Sequence, residues 1–485
     1  MRMTLMDPAR LRLPKDDESV KKFLTFHDRQ VEFQISRLKQ NFRWKQSDPD
    51  RFTAALAKLK GEAVKTLIYY DRVGEPWTYA GLWQELSQRF GWQFDVPPLD
   101  FEFGSIPWAK IPKEMRYYQN EAVEALLRSR HSAIELPTGS GKSRILLELA
   151  KRIGQKTILV TPSAAITDQM YEQFVEAFGR RYVGKYGDGR KDVGKLFTVA
   201  VAQSMTRIEE GSDAYNDFSK AKALLWDESH TTPADTFERV ALGVCRNAPI
   251  RSFVSATQLR TDGAELILRG ITGPVVYRKK FIELVDEGFL ARPMFKIIRV
   301  PAVPGAGQRD VKEETRRQLY ANPNVNKVAA MIAGKMVRDL NRQVVILVEE
   351  FRQFMILKNY LDVPFEFVHG GATSKETKKF LPEEYHKCDT ARIVKEFNEG
   401  KIRCLIGTSA ISTGVDLQPV GCLIYLQGGV SEIKVTQSIG RGTRMPPGKK
   451  DFYVVDFRVV GSPVMERHLE ERKSIYDTMG QVQES

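Results

Sequence analysis

The chain has 485 residues, 42% of them hydrophobic and 28% charged, which suits two or three globular cores. No apolar run approaches the ~20 residues that span a bilayer, and the start Met1-Arg2-Met3-Thr4 lacks a signal-peptide core, so neither secretion nor membrane insertion is expected. Lys and Arg outnumber Asp and Glu by 74 to 61, which makes a polyanion a natural partner; four scattered cysteines argue against a zinc ribbon or a disulfide framework and for a reducing cytoplasm.

Residues 1–112 hold five of the six tryptophans, mixed with Tyr69, Tyr70, Tyr79, Phe90 and Phe94. Residues 66–70 read as a strand and 79–90 as a helix, and Pro97, Pro98, Pro107 and Pro112 break the pattern before Met115. The expectation is a small α/β accessory domain over 1–112. Its 18 Lys/Arg against 15 Asp/Glu are too small an excess to establish nucleic-acid binding, and its aromatics either build a core or stack on exposed bases.

From residue 117 the texture changes. A helix over 119–127 leads to short apolar segments at 132–136, 157–160, 197–201, 223–226 and 252–254, with helix or loop between them. The same rhythm resumes after residue 291, with candidate strands at 344–348, 365–368, 404–406, 423–426 and 453–455. Short strands alternating with helices predict two parallel sheets covered on both faces, so lobes are expected over 113–290 and 291–485. Residues 180–195, with six Lys/Arg and four glycines and preceded by Gly179, read as a basic loop, and the residues after Gly480 as a short polar tail.

The strongest local signal is Pro137-Thr138-Gly139-Ser140-Gly141-Lys142-Ser143, between an apolar strand and a helix. Glycines let backbone N–H groups turn toward phosphates, Lys142 brings a charge to them, and the Ser143 hydroxyl suits Mg2+. The general phosphate-loop pattern would want a glycine at Leu136. An acidic strand end follows at Asp227-Glu228-Ser229-His230, where Asp227 would orient the cation and Glu228 would take a proton from the attacking water. Arg441 and Arg444, three apart in Gln437-Ser438-Ile439-Gly440-Arg441-Gly442-Thr443-Arg444, share one side of a helical turn and could neutralise charge on a transferring phosphoryl group.

Together these motifs resemble those of the superfamily-two helicases and translocases, in the branch of UvsW, XPB and restriction-enzyme motor subunits, with UvsW-like phage recombination helicases most similar. The resemblance covers roughly residues 113–480. It implies two tandem RecA-like lobes, ATP and Mg2+ as cofactors, a phosphate loop that commonly lacks the leading glycine, and a small N-terminal module over 1–112 that contacts duplex or branched DNA ahead of the motor. By the same likeness Gln119 would read adenine; Thr161, Pro162, Gln169, Gln203, Ser204, Thr408, Ser412 and Thr413 would touch nucleic acid; His230, Ser255, Thr257, Gly414 and Asp416 would couple hydrolysis to strand movement; and Gln437 would lie near the nucleotide beside the arginine fingers. Residues 255–263, Ser-Ala-Thr followed by Arg-x-Asp-Gly, are similar to the UvsW-like and restriction-motor branch.

The implied activity is that of an ATP-dependent DNA helicase or duplex translocase remodelling forks, branches or recombination intermediates. The alternatives are the motor subunit of a restriction or defence complex with a nuclease partner, an RNA helicase and, last, a non-enzymatic scaffold. A monomer in the cytoplasm of a bacterial cell or phage-infected host is expected, with DNA as partner, RNA not excluded, and a nuclease or recombination protein as a further candidate.

Overall fold

The computed structural model describes residues 1–257, 265–305, 310–370, 381–408, 417, 419–444 and 451–485, apart from the side chains of residues 30, 42, 43, 433 and 441. The expected sites Ser412, Thr413, Gly414 and Asp416, the Arg-x-Asp-Gly segment and the Arg441 side chain lie outside them. The chain divides into two compact units, Met1–Leu136 with Gly141–Arg278, and Lys279–Ser485 with Pro137–Ser140.

The first unit opens with a five-stranded sheet in the order β5-β6-β2-β1-β7, built from β1 (Arg2–Asp7), β2 (Arg10–Arg12), β5 (Tyr69–Tyr70), β6 (Pro76–Tyr79) and β7 (Gln93–Phe94). A separate antiparallel pair, β3 (Thr25–His27) and β4 (Val64–Thr66), brackets three helices, Arg29–Lys39, Phe42–Ser47 and Pro49–Ala63. The strand expected over 66–70 is therefore split between β4 and β5, because Leu67 and Ile68 leave the ladder to enter the core. The helix expected from Tyr79 runs Trp83–Phe90, since Tyr79 ends β6.

The aromatics mostly build this core. Tyr79 and Trp92 are buried, and Trp77 and Trp83 pack against the same cluster. That cluster is continuous with the larger sheet: Leu82 and Leu86 share it with Leu266, Leu268 and Ile271. A Cβ on Gly81 would sit 2.5 Å from the Gly270 carbonyl oxygen, so only glycine at 81 allows the backbones to meet this closely, while a Cβ on Gly270 would meet the Tyr79 ring at 2.5 Å. Tyr79 also donates a hydrogen bond to Glu238. The proline-broken stretch after β7 lies along the sheet's helices, where Gly104 N–H donates to the Ile153 carbonyl, Ala109 N–H to that of Ala177, and Trp108 stacks on Phe178.

The larger sheet of this unit has the order β11-β10-β12-β9-β13-β14-β8-β15. Its strands are β8 (His131–Glu135), β9 (Thr157–Thr161), β10 (Val183–Gly187), β11 (Arg190–Lys191), β12 (Phe197–Val201), β13 (Ala223–Asp227), β14 (Ile250–Ser255) and β15 (Val275–Arg278). All pairings are parallel except β10 with β11. Residues 180–195 are thus a sheet-edge hairpin rather than a loop; Lys185 is buried against Asp168, and Arg190 pairs with Asp192 at 2.8 Å.

The second unit has a wholly parallel sheet, β18-β19-β17-β20-β21-β16-β22. It comprises β16 (Arg292–Pro301), β17 (Gln343–Leu347), β18 (Glu366–Val368), β19 (Cys404–Gly407), β20 (Val420–Tyr425), β21 (Asp451–Val460) and β22 (Gln481–Glu484). Val344 and Ile346 enter one core and Val345 and Leu347 another, as strand alternation requires of a sheet covered on both faces. The expected polar tail is β22, paired in parallel with β16 and held by ion pairs from Glu484 to Arg458 and Lys473. No helix among the described residues is long and apolar enough to cross a membrane.

One titrating group is set by this packing. At the start of β8, His131 donates from Nε2 to the Ile271 carbonyl oxygen at 2.8 Å. Burial, aided by the Arg251 charge, lowers its pKa to about 3. The unfolded chain gains a proton below about 6.5 that the folded one refuses, so this contribution is complete above that pH and is lost as pH falls toward 3. The slope is at most about 1.4 kcal/mol per pH unit, less any solvent screening of a ring that is not fully covered. All six tryptophans lie in this unit. Their fluorescence in urea should give a shallower decline in stability between pH 7 and 5 for His131→Gln than for the parent; equal slopes would remove His131 as the cause.

Candidate active site

The phosphate loop leaves β8 at Leu136 and ends at Gly141, which caps the helix Lys142–Ile153. Gly139 and Gly141 take φ of +88° and +84°, which side chains with a Cβ disfavour. A Cβ at Gly141 would also meet the Gln119 amide at 2.4 Å. As N-cap, Gly141 has no side chain to occupy the first N–H groups of this helix, which suits an anion at its N-terminus. Gln119 is buried; its Oε1 accepts from Arg116 N–H at 2.9 Å and its Nε2 donates to the Gly141 carbonyl at 3.4 Å. The expected adenine reader is thereby joined to the phosphate loop.

Lys142, also buried, reaches across to Glu228 Oε1 at 3.0 Å and to the Leu136 carbonyl at 3.4 Å. Asp227 ends β13, and Glu228 follows in a left-handed conformation, φ +48°, its N–H bonded to the Val254 carbonyl at 2.8 Å. A non-glycine residue held there is strained, and such strain concentrates at functional sites. The two carboxyls are driven apart. Burial, and then the Glu228 charge, push Asp227 up to about 7. Burial also pulls Glu228 upward, but Lys142 and His230 outweigh it and hold Glu228 below the usual range. Asp227 Oδ1 and Glu228 Oε2 are buried without a hydrogen-bond partner among the described residues. Hard, unsatisfied carboxylate oxygens beside a phosphate loop fit a magnesium-bound triphosphate.

From this pair a polar chain runs to the next strand end. His230 Nδ1 lies 3.6 Å from Glu228 Oε2 and is hydrogen-bonded to Ser255 Oγ. Ser255 O–H donates to the Thr257 carbonyl at 2.7 Å. A hydroxyl has one proton, so Ser255 accepts from His230, which fixes the proton on Nδ1. Residue 230 is thus joined to residues 255 and 257, distant from it in sequence, by one chain of hydrogen bonds.

The expected nucleic-acid residues fare differently. Thr161 is buried, its hydroxyl paired with Thr167 at 2.5 Å, and Thr408 is buried with its N–H on the Val368 carbonyl. Pro162 and Gln169 are half-buried, Ser204 likewise, and Gln203 is exposed, although its Oε1 accepts from Thr236. In the second unit Gln437 and Arg444, both half-buried, lie on or just after the helix Glu432–Gly442.

What the sequence reading missed is how that helix is anchored. Its preceding loop is held by Gln353 Nε2 donating to the Leu426 carbonyl and by Tyr320 O–H donating to that of Gln427, both at 2.8 Å. Beneath it Arg472 makes a bidentate pair with Asp456, 2.7 and 3.0 Å, while Tyr476 O–H donates to Asp456 at 2.8 Å. Arg472 also reaches the Gly429 carbonyl at 3.5 Å. An acid inside the apolar strand Tyr453-Val454-Val455-Asp456-Phe457 was the available signal, since such a residue demands a partner.

Residues 112–260 match the family model described as type III restriction enzyme, res subunit, and residues 326–446 match that of the helicase conserved C-terminal domain. With two parallel-sheet units carrying these domains in this order, the chain belongs to the superfamily-two helicases, in the branch that includes XPB and the restriction-enzyme motors, and is an ATP-dependent helicase or translocase. A helicase-like protein of Sulfolobus islandicus filamentous virus (isolate Iceland/Hveragerdi) is 25% identical over 78% of this chain and 70% of its own. The DNA 3'-5' translocase XPB2 of Sulfurisphaera tokodaii is 23% identical over 76% of this chain and 86% of its own. The fold is also similar to that of the type ISP restriction-modification enzyme LlaBIII, with a TM-score of 0.53 and 14% identity, covering 76% of this chain and 30% of that one.

Proposed function

We propose that the protein is an ATP-dependent motor on duplex DNA that remodels forks, branches or recombination intermediates. The observation that carries this reading is the buried run Lys142–Glu228–His230–Ser255, which ties the phosphate loop to the strand end that leads into the expected coupling segment. DNA as substrate draws support from the Sulfurisphaera relative, described as a DNA translocase.

In this reading Thr138, Gly139, Ser140, Gly141 and Lys142 hold the triphosphate and Gln119 reads its base. Ser143 and Asp227 would hold magnesium, which would supply charge to neutralise the phosphates. Glu228, kept ionised by Lys142 and His230, takes the proton of the attacking water. Gln437, Arg441 and Arg444 stabilise the charge that develops on the phosphoryl group. Ser255, Thr257, Gly414 and Asp416 transmit the change, and Pro162, Gln169, Gln203, Ser204, Thr408, Ser412 and Thr413 line the strand path, with Thr161 shaping its loop from within. The protein acts as a cytoplasmic monomer of a bacterial cell or phage-infected host.

Glu228→Gln should slow ATP hydrolysis by about 10²–10⁴-fold while ATP binding persists, because only proton transfer is lost. Equal loss of binding would reassign Glu228 to a structural role. The res-subunit match favours a second reading, the motor subunit of a restriction or defence complex. ATPase assays with single-stranded, duplex, forked and four-way DNA and matched RNA separate the cases. Stimulation by forked or four-way DNA supports remodelling; equal response to plain duplex favours the restriction motor; stimulation by RNA alone overturns the DNA reading.

A further inference from the structure

The positive charge of the accessory region is concentrated in one place. Residues 28–65 hold nine Lys/Arg against five Asp/Glu, whereas the rest of residues 1–112 hold nine against ten. Those residues form a distinct body: the β3–β4 ladder, with register Thr25↔Thr66 to His27↔Val64, as a stem, and three helices beyond it. The helices Arg29–Lys39 and Pro49–Ala63 pack on one another, and Trp44 meets Phe52 edge-on.

The cations of this arm face solvent. Arg37, Lys39, Lys45, Arg51, Lys58, Lys60 and Lys65 are all exposed. Arg51, Lys58 and Lys65 pair with Asp48, Glu62 and Asp28. Arg37, Lys39, Lys45 and Lys60 have no ion-pair partner among the described residues. No acid among the described residues offsets these four charges, and holding them on one arm against mutual repulsion favours an anionic partner.

The aromatics point the same way. A single-strand site would present rings as stacking platforms. Here Tyr79 and Trp92 are buried, and Trp77 and Trp83 are packed on the core; Phe33, 69% accessible, is an exposed ring on the arm's first helix, and Tyr70 is exposed outside the arm. Four unpaired cations against one well-exposed ring on that helix suit the sugar-phosphate backbone, which is read without regard to sequence, more than a row of stacked bases. The stem enters the core shared with the phosphate-loop sheet through Leu24, Leu67 and Ile68. The arm is therefore fixed to the ATP-binding unit.

We propose that the helical arm of residues 28–65 is a sequence-independent clamp on duplex DNA, with Arg37, Lys39, Lys45 and Lys60 as its phosphate contacts. This rests on the DNA-motor reading above and adds to it where the duplex is held. The test uses the full chain with these four residues replaced together by Gln, all being exposed positions outside the core; unchanged tryptophan fluorescence reports folding.

Binding of a blunt DNA duplex and of its single strand is measured without nucleotide between about 50 and 200 mM salt. For the duplex, the slope of log affinity against log salt should become shallower by about 0.9 per lost contact, up to about 3.6 for four, with at least a tenfold loss of affinity at the low-salt end. The single strand should be affected less, and a variant with Arg37→Lys alone should keep the parent slope. ATP hydrolysis without nucleic acid should be unchanged, as none of the four belongs to the nucleotide machinery. An unchanged duplex slope overturns the clamp, as does an equal loss on single strands. Tighter binding of duplex RNA than of DNA, lost in the same variant, overturns the DNA assignment. If no nucleic acid stimulates the parent's ATPase, the motor reading fails independently of the arm.

Discussion

Lys142→Ala is expected to reduce nucleic-acid-stimulated ATP hydrolysis by at least about 10²–10³-fold, measured as phosphate release at saturating DNA. The reason is twofold. Lys142 is the cation of the phosphate loop, and in this structure it is also the counter-charge of Glu228, 3.0 Å away. Without it, burial is opposed only by His230 and the Ala256 backbone N–H, and the Glu228 carboxyl rises toward its protonated form, in which it cannot accept a proton. DNA binding without nucleotide should largely remain, because none of the residues proposed for the strand path depends on Lys142. Hydrolysis that survives unchanged would refute the phosphate-loop assignment, and concurrent loss of DNA binding and tryptophan fluorescence would show misfolding instead.

Asp456→Ala should cost the second unit about 3–5 kcal/mol. Asp456 and Arg472 are both nearly fully buried, and Asp456 accepts from Arg472 twice, from Tyr476 O–H and from the Phe457 N–H. Burial alone would favour discharging Arg472; the Asp456 carboxylate overrides this and holds the guanidinium charged above its usual range. Removing the acid strands a buried cation, which is why the single change costs far more than the pair is worth. Asp456→Ala combined with Arg472→Met should recover most of the loss. This unit has no tryptophan, so amide exchange in β21 and the helix Pro463–Tyr476 is the appropriate readout. The Gly429 loop leads into the helix bearing Gln437 and Arg441, so Asp456→Ala should also lower kcat more than it changes KM for ATP. A stability loss with unaltered kinetics would confine the pair to folding.

Other outcomes depended on how the chain closes on itself. The accessory domain expected over residues 1–112 shares one buried cluster with the phosphate-loop sheet, through Tyr79, Leu82 and Leu86. Deleting it would bare that cluster, so charge substitutions on the arm are the cleaner probe of its role. The segment at 180–195 reads as a basic loop because it is rich in glycine, lysine and arginine, yet Lys185 finds Asp168 and is buried. The residues after Gly480 are polar because β22 lies at a sheet edge, where its backbone pairs with β16 and Glu484 meets cations. An edge strand needs little hydrophobic signal to form, and composition could not reveal it.

The sequence by itself determined the chemistry that resides in consecutive residues: the strand–glycine loop–helix ending at Lys142, the Asp227-Glu228 strand end, and the alternation that makes two parallel sheets. These are local, since backbone turning and side-chain period are properties of short stretches. Only the tertiary structure decided what depends on residues far apart in the chain. It set Lys142 against Glu228, the proton of His230 on the side facing Ser255, Asp456 under the arginine-bearing helix, and the excess charge of the first 112 residues on a single arm. Pairings of this kind follow from burial, where a charge without a partner is expensive, and burial is decided by the whole chain at once.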